Sequence, residues 1–262
     1  MSTVKVLMIL GMHRSGTSLL ANWLMHLGLP LGEEFNPGGI GNVKGHFEDL
    51  KFLKLHMRAL NERLWYQRNR IKPDFQIEGA ALIREYNLKY EQWGWKDPRT
   101  CLFLPEWHTL LPDAKAIVIF RDFRQVVHSL RRRGQKEKLH RRRNLSAFIR
   151  KPLMALGTEE LSEQIALQEW LRYNKAILSY LEKRTGEEFL VLEVGDMLKF
   201  SEQIFCHLTQ EMGFCLRYEN PENLYDAELL SNREEVLEVG EEILEDAEET
   251  LRLLRSKRIF SR

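Results

Sequence analysis

The sequence is poor in cysteine. Cys101, Cys206 and Cys215 are the only three in 262 residues, an odd number without a CxxC pair. This excludes a disulfide-built miniprotein and a cysteine-ligated zinc cluster, and it predicts a reducing, cytoplasmic setting. Net charge is nearly absent too. Lys plus Arg number 39 against 38 Asp plus Glu, so the overall balance names no partner. No apolar run reaches the about 18 residues that a membrane span requires. The stretch ahead of the first glycine motif is shorter than a signal peptide, which again predicts a cytoplasmic protein. Internal repeats and linker-like stretches are missing, so residues 1–262 are expected to form one domain. What is plentiful is ordinary: 44% hydrophobic and 29% charged residues, in a chain long enough to bury a core unaided.

The apolar runs are short and alternate with helical patterns. Strands are predicted at residues 4–10, 93–96, 114–120 and 189–194. Helices are predicted at 17–27, 49–66, 78–90, 126–133, 159–183, 203–212 and 233–255. Residues 32–46 hold five glycines and Pro37 and read as a long loop. Alternation of this kind predicts an α/β fold built on a parallel sheet.

Residues 11–18 read Gly-Met-His-Arg-Ser-Gly-Thr-Ser, between the first strand and the first helix. Two glycines with four residues between them let backbone N–H groups converge on a phosphate, and the following helix adds its dipole. Thr17 stands where a nucleoside-triphosphate loop requires lysine, and the cation is instead Arg14 inside the loop. A second group is Arg121, leaving the third strand, with Ser129 eight residues on. Strand ends of open α/β sheets bind ligands, and an Arg fork with a hydroxyl suits a second phosphate.

Taken together, the strand with its His-Arg-Ser-Gly-Thr-Ser loop and the Arg121–Ser129 pair resemble the sulfotransferase family. Residues 95–100 (Trp-Lys-Asp-Pro-Arg-Thr) and the strand-end acidic block at 192–198 resemble further blocks of its bacterial and Golgi-type branch. The resemblance implies a three-layer P-loop-type fold, a central parallel sheet flanked by helices. It implies 3′-phosphoadenosine-5′-phosphosulfate as sulfuryl donor and 3′,5′-adenosine bisphosphate as product. By position, Arg14, Ser15, Gly16, Thr17 and Ser18 would bind the 5′-phosphosulfate, and Arg121 and Ser129 the 3′-phosphate. Phe123 replaces the proline usual after Arg-Asp, and no Arg-Lys-Gly block stands near the C-terminus.

Sulfuryl transfer asks for positive charge at the leaving phosphate, which Arg14 supplies, and no metal is expected. It also asks for a base to take the proton of the acceptor hydroxyl (or amine). The sequence offers His46, Glu48, Asp49 and Asp97. Glu48 leads, because the resemblance implies a Glu base in a comparable place and burial beside Phe47 would raise its pKa; His46 follows, since imidazole titrates near neutrality. Lys96 and Arg99 end a strand on the ligand side and are expected to hold sulfuryl oxygens or an anionic acceptor. Trp170 and Tyr173 are weaker candidates for stacking on adenine. Residues 131–143 carry eight Lys or Arg against Glu137, which reads as a solvated loop, a lid over the donor or a site recruiting an anion. No aromatic residue interleaves there, which disfavours nucleic acid. Residues 222–249 hold the acidic counterweight. Two rival readings stay open: a kinase using ATP and Mg²⁺, and a non-catalytic anion- or nucleic-acid-binding module. The acceptor is open among glycan, lipid, natural product and peptide.

Overall fold

The computed structural model describes residues 4–36, 46–64, 74–143, 162–224 and 236–260. Four strands form one sheet: β1 (Lys5–Leu10), β2 (Gln92–Lys96), β3 (Lys115–Phe120) and β4 (Phe189–Glu193). Their order is β2-β1-β3-β4 and every pairing is parallel. The register sets Ile9 beside Lys96 and Phe120 beside Glu193. The four C-terminal strand ends therefore share one edge.

Both faces of the sheet are covered, which is why its strands read as unbroken apolar runs. Val6, Met8 and Leu10 face one core with Trp93, Trp95, Val118, Phe120 and Val191. Leu7 and Ile9 face the other with Ile117, Ile119, Leu190 and Leu192. The second face carries α1 (Thr17–His26), α7 (Asp196–Lys199) and α8 (Ser201–Cys206). The first carries α2 (Leu50–Leu64), α3 (Phe75–Lys89), α4 (Leu104–Leu110), α5 (Phe123–Arg143), α6 (Glu163–Leu181) and α9 (Glu241–Ser256). The result is the expected three-layer α/β architecture with a central parallel sheet.

The first-face core is aromatic. Phe52 stacks on Trp95 with centroids 4.8 Å apart, and Trp107 and Trp93 close the cluster. A 3₁₀ turn, Pro98–Phe103, leads from β2 into α4; neither was expected from periodicity, because both are shorter than a hydrophobic repeat can reveal.

Helix bounds moved where caps outweigh periodicity. α5 begins at Phe123, because Asp122 accepts the Arg124 N–H at 2.9 Å as an N-cap. It then runs on to Arg143, so the basic run 131–143 is helix, not loop, along the backbone. α6 starts at Glu163, where Ser162 accepts the Ile165 N–H at 3.2 Å. α9 starts at Glu241 after Gly240, and residues 236–239 of the predicted helix are not helical. The predicted helix 203–212 is α8 followed by a π-turn, His207–Glu211. Residues 37–45 of the glycine-rich stretch lie outside the described residues.

The turn from β1 into the glycine loop leaves no room for a side chain. A Cβ on Gly11, at φ +153°, would stand 2.3 Å from the Ile119 carbonyl oxygen and 2.8 Å from Thr17 Cγ2. Backbone cannot yield as a side chain would. Gly11→Ala should therefore cost about 2 kcal/mol of stability. Urea unfolding checks this; an unchanged midpoint would mean the loop is not packed this tightly on β3.

Candidate active site

The site lies along the C-terminal edge of the sheet. Its centre is the glycine loop, closed by the Ser15 N–H donating to the Met12 carbonyl at 3.2 Å. Arg14 (φ 71°) and Gly16 (φ 92°) are left-handed, so successive N–H groups turn inward, as in an anion-binding nest. No side chain caps α1 at Gly16, which leaves the helix N-terminus open to an anion. The buried Ser15 hydroxyl has no hydrogen-bond partner among the described residues. A Cβ on Gly16 would come within 2.7 Å of Val194 Cγ2, so the loop presses against the chain leaving β4. The Gly11 N–H donates to Cys101 Sγ at 3.3 Å, and burial pushes that thiol up to about 12; Cys101 props the loop and is no nucleophile.

Among the described residues, just two non-glycine residues are left-handed, Arg14 and Phe47 (φ 51°). Both flank this site. Backbone strain of this kind persists where neighbouring structure enforces it.

Arg14 crosses to α5 and donates from Nε to Ser129 Oγ at 2.9 Å. The glycine loop and the Arg121–Ser129 pair are thus one site. Arg121 leaves β3 with Nε on Gln125 Oε1 at 2.8 Å. Arg132 and Arg133, three and four residues after Ser129, lie on the same helix face. Burial, then Arg133, Arg121 and Arg132, lower the Arg14 pKa to about 10. Four guanidinium groups converging this way leave the pocket strongly receptive to anions. Residue type alone did not distinguish Arg132 and Arg133 from their basic neighbours; their spacing from Ser129 does. Side chains at 136–143 lie outside the described residues.

Beyond the loop stands a second, neutralised group of charges. Lys96, 2% exposed, donates to Glu48 Oε1 at 3.0 Å and to the His46 carbonyl at 2.6 Å. Ser18 Oγ donates to that same carbonyl at 3.4 Å, which ties the loop to the chain entering α2. Glu48 Oε2 lies 3.9 Å from Arg99 and accepts from Asn36 at 3.3 Å. Arg99 in turn pairs with Asp97 at 2.8 Å. Burial pushes the Glu48 carboxyl up, but Lys96 and the other cations pull harder, so its pKa is lowered. The expected raised value is thereby corrected. His46 is lowered by burial, with Lys96, Arg133 and Arg14 acting the same way against Glu48.

The remaining candidates resolve differently. Asp49 caps α2 through the Lys51 N–H at 2.8 Å and accepts from Tyr86 at 2.6 Å, a structural post. Asp97 is fully buried and accepts from His56 Nδ1 at 2.9 Å, while Trp107 donates to His56 Nε2 at 2.9 Å. An indole N–H is only a donor, so His56 is the Nδ1–H tautomer. Burial opposes ionisation of Asp97, yet His56 and Arg99 hold its pKa well below the carboxylate range. Nothing in the sequence pointed to His56, whose partners lie 41 and 51 residues away. Trp170 is fully buried with its indole on the Arg121 carbonyl at 3.1 Å, and Tyr173 is 5% exposed. Neither ring is open for stacking on adenine. The acidic block is also structural: Glu193 pairs with Arg255 at 2.7 Å and Asp196 with Arg258 Nε at 2.8 Å.

Among the described residues no group of three His, Cys, Asp or Glu side chains is placed to hold a metal ion. No described helix is long and apolar enough to cross a membrane.

Comparison with known proteins adds the following. The sequence model described as the sulfotransferase family matches residues 7–185. The fold is similar to the sulfotransferase domain of the Synechococcus olefin synthase, with TM-score 0.57 at 17% identity over 97% of this chain and 94% of that chain. It is also similar to a sulfotransferase of Mycobacterium tuberculosis, with TM-score 0.53 at 14% identity over 98% of this chain and 77% of that chain. No curated protein matches the sequence.

The Asp97 contacts yield a prediction. Because its folded pKa is lowered, the unfolded chain takes up the proton first as pH falls. The contribution is whole above about pH 4, the unfolded carboxyl range, and fades below it. Asp97→Asn should cost about 3 kcal/mol at neutral pH, as expected when one partner of a buried charge pair is removed. Its melting point should also fall less steeply than that of wild type below pH about 4. Parallel melting curves of the two proteins against pH would refute this.

Proposed function

The chain belongs to the sulfotransferase family, and from that premise we propose that its donor is 3′-phosphoadenosine-5′-phosphosulfate and its acceptor a hydroxyl (or amine). The observation that carries this reading is the Arg14 Nε to Ser129 Oγ contact at 2.9 Å. It makes the glycine loop and the Arg121–Ser129 pair adjacent halves of one anion site, as a nucleotide phosphorylated at both ends requires. The orphaned Ser15 hydroxyl and the side-chain-free approach at Gly16 suit the same anion.

Arg14, the loop N–H groups and residues 15–18 would hold the 5′-phosphosulfate, and Arg121 with Ser129 the 3′-phosphate. The bound donor supplies an activated sulfuryl group: the acceptor oxygen bonds to sulfur in line as the sulfur–phosphate oxygen bond breaks, and the electron pair leaves with 3′,5′-adenosine bisphosphate. Arg14 offsets the charge that grows on that leaving oxygen. Glu48 takes the acceptor proton, with His46 as the alternative. Lys96 keeps Glu48 ionised and in place, and Arg99 extends positive charge toward the acceptor. The kinase reading is less well supported, because the strand-end carboxylates Asp122, Glu193 and Asp196 are taken up by Arg124, Arg255 and Arg258. The three cysteines, all free, suit a cytoplasmic location.

Ligand-induced melting shifts and turnover of variants test the reading. 3′,5′-Adenosine bisphosphate should raise the melting point with or without chelator; at 100 times its Kd it adds about 2.7 kcal/mol. Arg14→Ala should fold and lose donor turnover, read as bisphosphate released. A melting shift with ATP and Mg²⁺ alone would return the kinase reading to the lead. Glu48→Gln should lower kcat more than it weakens the bisphosphate shift. Because Glu48 is already ionised at mild acidity, the wild-type rate should show no acid limb between about pH 5 and 8. An acid limb that disappears in His46→Asn would make His46 the base instead.

A further inference from the structure

His13 stands between the two halves of the site. It directly precedes Arg14, and the left-handed turn there (φ 71°) parts the two side chains. Arg14 reaches Ser129 on α5. The His13 ring packs edge-on against Tyr173 of α6, with centroids 6.0 Å apart. The charges facing it belong to the other half of the site: Arg99, Glu48, Asp97 and Lys96. A side chain rooted in the donor loop thus looks onto the acceptor-side charges.

The half-buried imidazole makes no hydrogen bond to any described residue. Burial first, and Arg99 next, hold its pKa down to about 3. The ring is therefore neutral at working pH, with one N–H to donate and one lone pair. Its lone pair is too weak a base to deprotonate a hydroxyl, and the ionised Glu48 is better suited. The N–H is the useful part. A neutral imidazole held below its usual pKa can polarise an oxygen without surrendering its proton. Lys96 is already bonded to Glu48 and the His46 carbonyl, and Arg99 to Asp97. His13 has no such engagement.

Resting on the sulfuryl-transfer reading above, we propose that His13 donates its ring N–H to a non-bridging sulfuryl oxygen during transfer from the loop to the acceptor. It is a catalytic residue by contact with the group in flight, and it acts as a hydrogen-bond donor, not as a base.

Isotope-labelled histidine makes each ring visible by its nitrogen resonances, and His13→Gln assigns those of His13. The ring should stay neutral between about pH 5 and 8. Its N–H signal should move when inorganic sulfate is added with 3′,5′-adenosine bisphosphate, beyond the change with bisphosphate alone. His13→Leu should lower donor turnover about tenfold or more, and His13→Gln, which keeps an N–H, should restore most of it. Both variants should retain the bisphosphate melting shift. If that shift persists but the His13 signal ignores sulfate and His13→Leu turns over normally, the proposal fails and the donor reading stands. If bisphosphate shifts nothing even in wild type, the donor reading fails and the proposal with it. Should His13→Leu not fold, the resonances of the wild-type ring decide alone.

Discussion

Burial of charge at the end of β2 is the constraint that organises this molecule. Lys96 and Asp97 are adjacent, nearly inaccessible to water and of opposite sign. Leaving either one uncompensated would cost several kcal/mol. Their partners must therefore come from elsewhere in the chain, and they come from both sides. Glu48 and the His46 carbonyl arrive from the entry to α2, His56 from within α2, and Arg99 from the 3₁₀ turn. Satisfying these two adjacent residues fixes the approach of α2, the path of the turn after β2 and, through Ser18, the near side of the glycine loop.

The two halves of the site treat charge in opposite ways. Around Lys96 the signs alternate from Lys96 to Glu48 to Arg99 to Asp97, so that group is close to neutral. Around Arg14 the charge is of one sign, and Arg121, Arg132 and Arg133 all press on it. A neutral wall thus stands beside a cationic hollow. The chain's near-zero net charge hides this contrast, because acids on α9 and at the ends of β3 and β4 are taken up by other arginines, Arg124 and Arg255.

Much of this was legible before folding. The four strands read correctly because parallel strands covered on both faces are continuous apolar runs, and the glycines of the loop stand, as their spacing suggested, between β1 and α1. Arg121 and Ser129 were legible as a spacing on one strand–helix unit. The charged wall at the end of β2 was not, since His56 and Asp97 are 41 residues apart and meet only in three dimensions. Asp49 and Glu48 are neighbours of the same chemistry, yet one caps a helix and the other meets Lys96, a difference that residue type does not reveal. Length misled at α5, where periodicity lapsed after Arg133 but the backbone stayed helical.

The indole of Trp107 carries one more consequence. Its N–H rests on His56 at 2.9 Å, and its ring lies against Trp95 and Phe52. Tryptophans in contact share excitation, so the emission of Trp95 and Trp107 reports jointly on the aromatic packing that seats His56 against Asp97. The fold carries an optical reporter of its own packing, built from native side chains and requiring no dye.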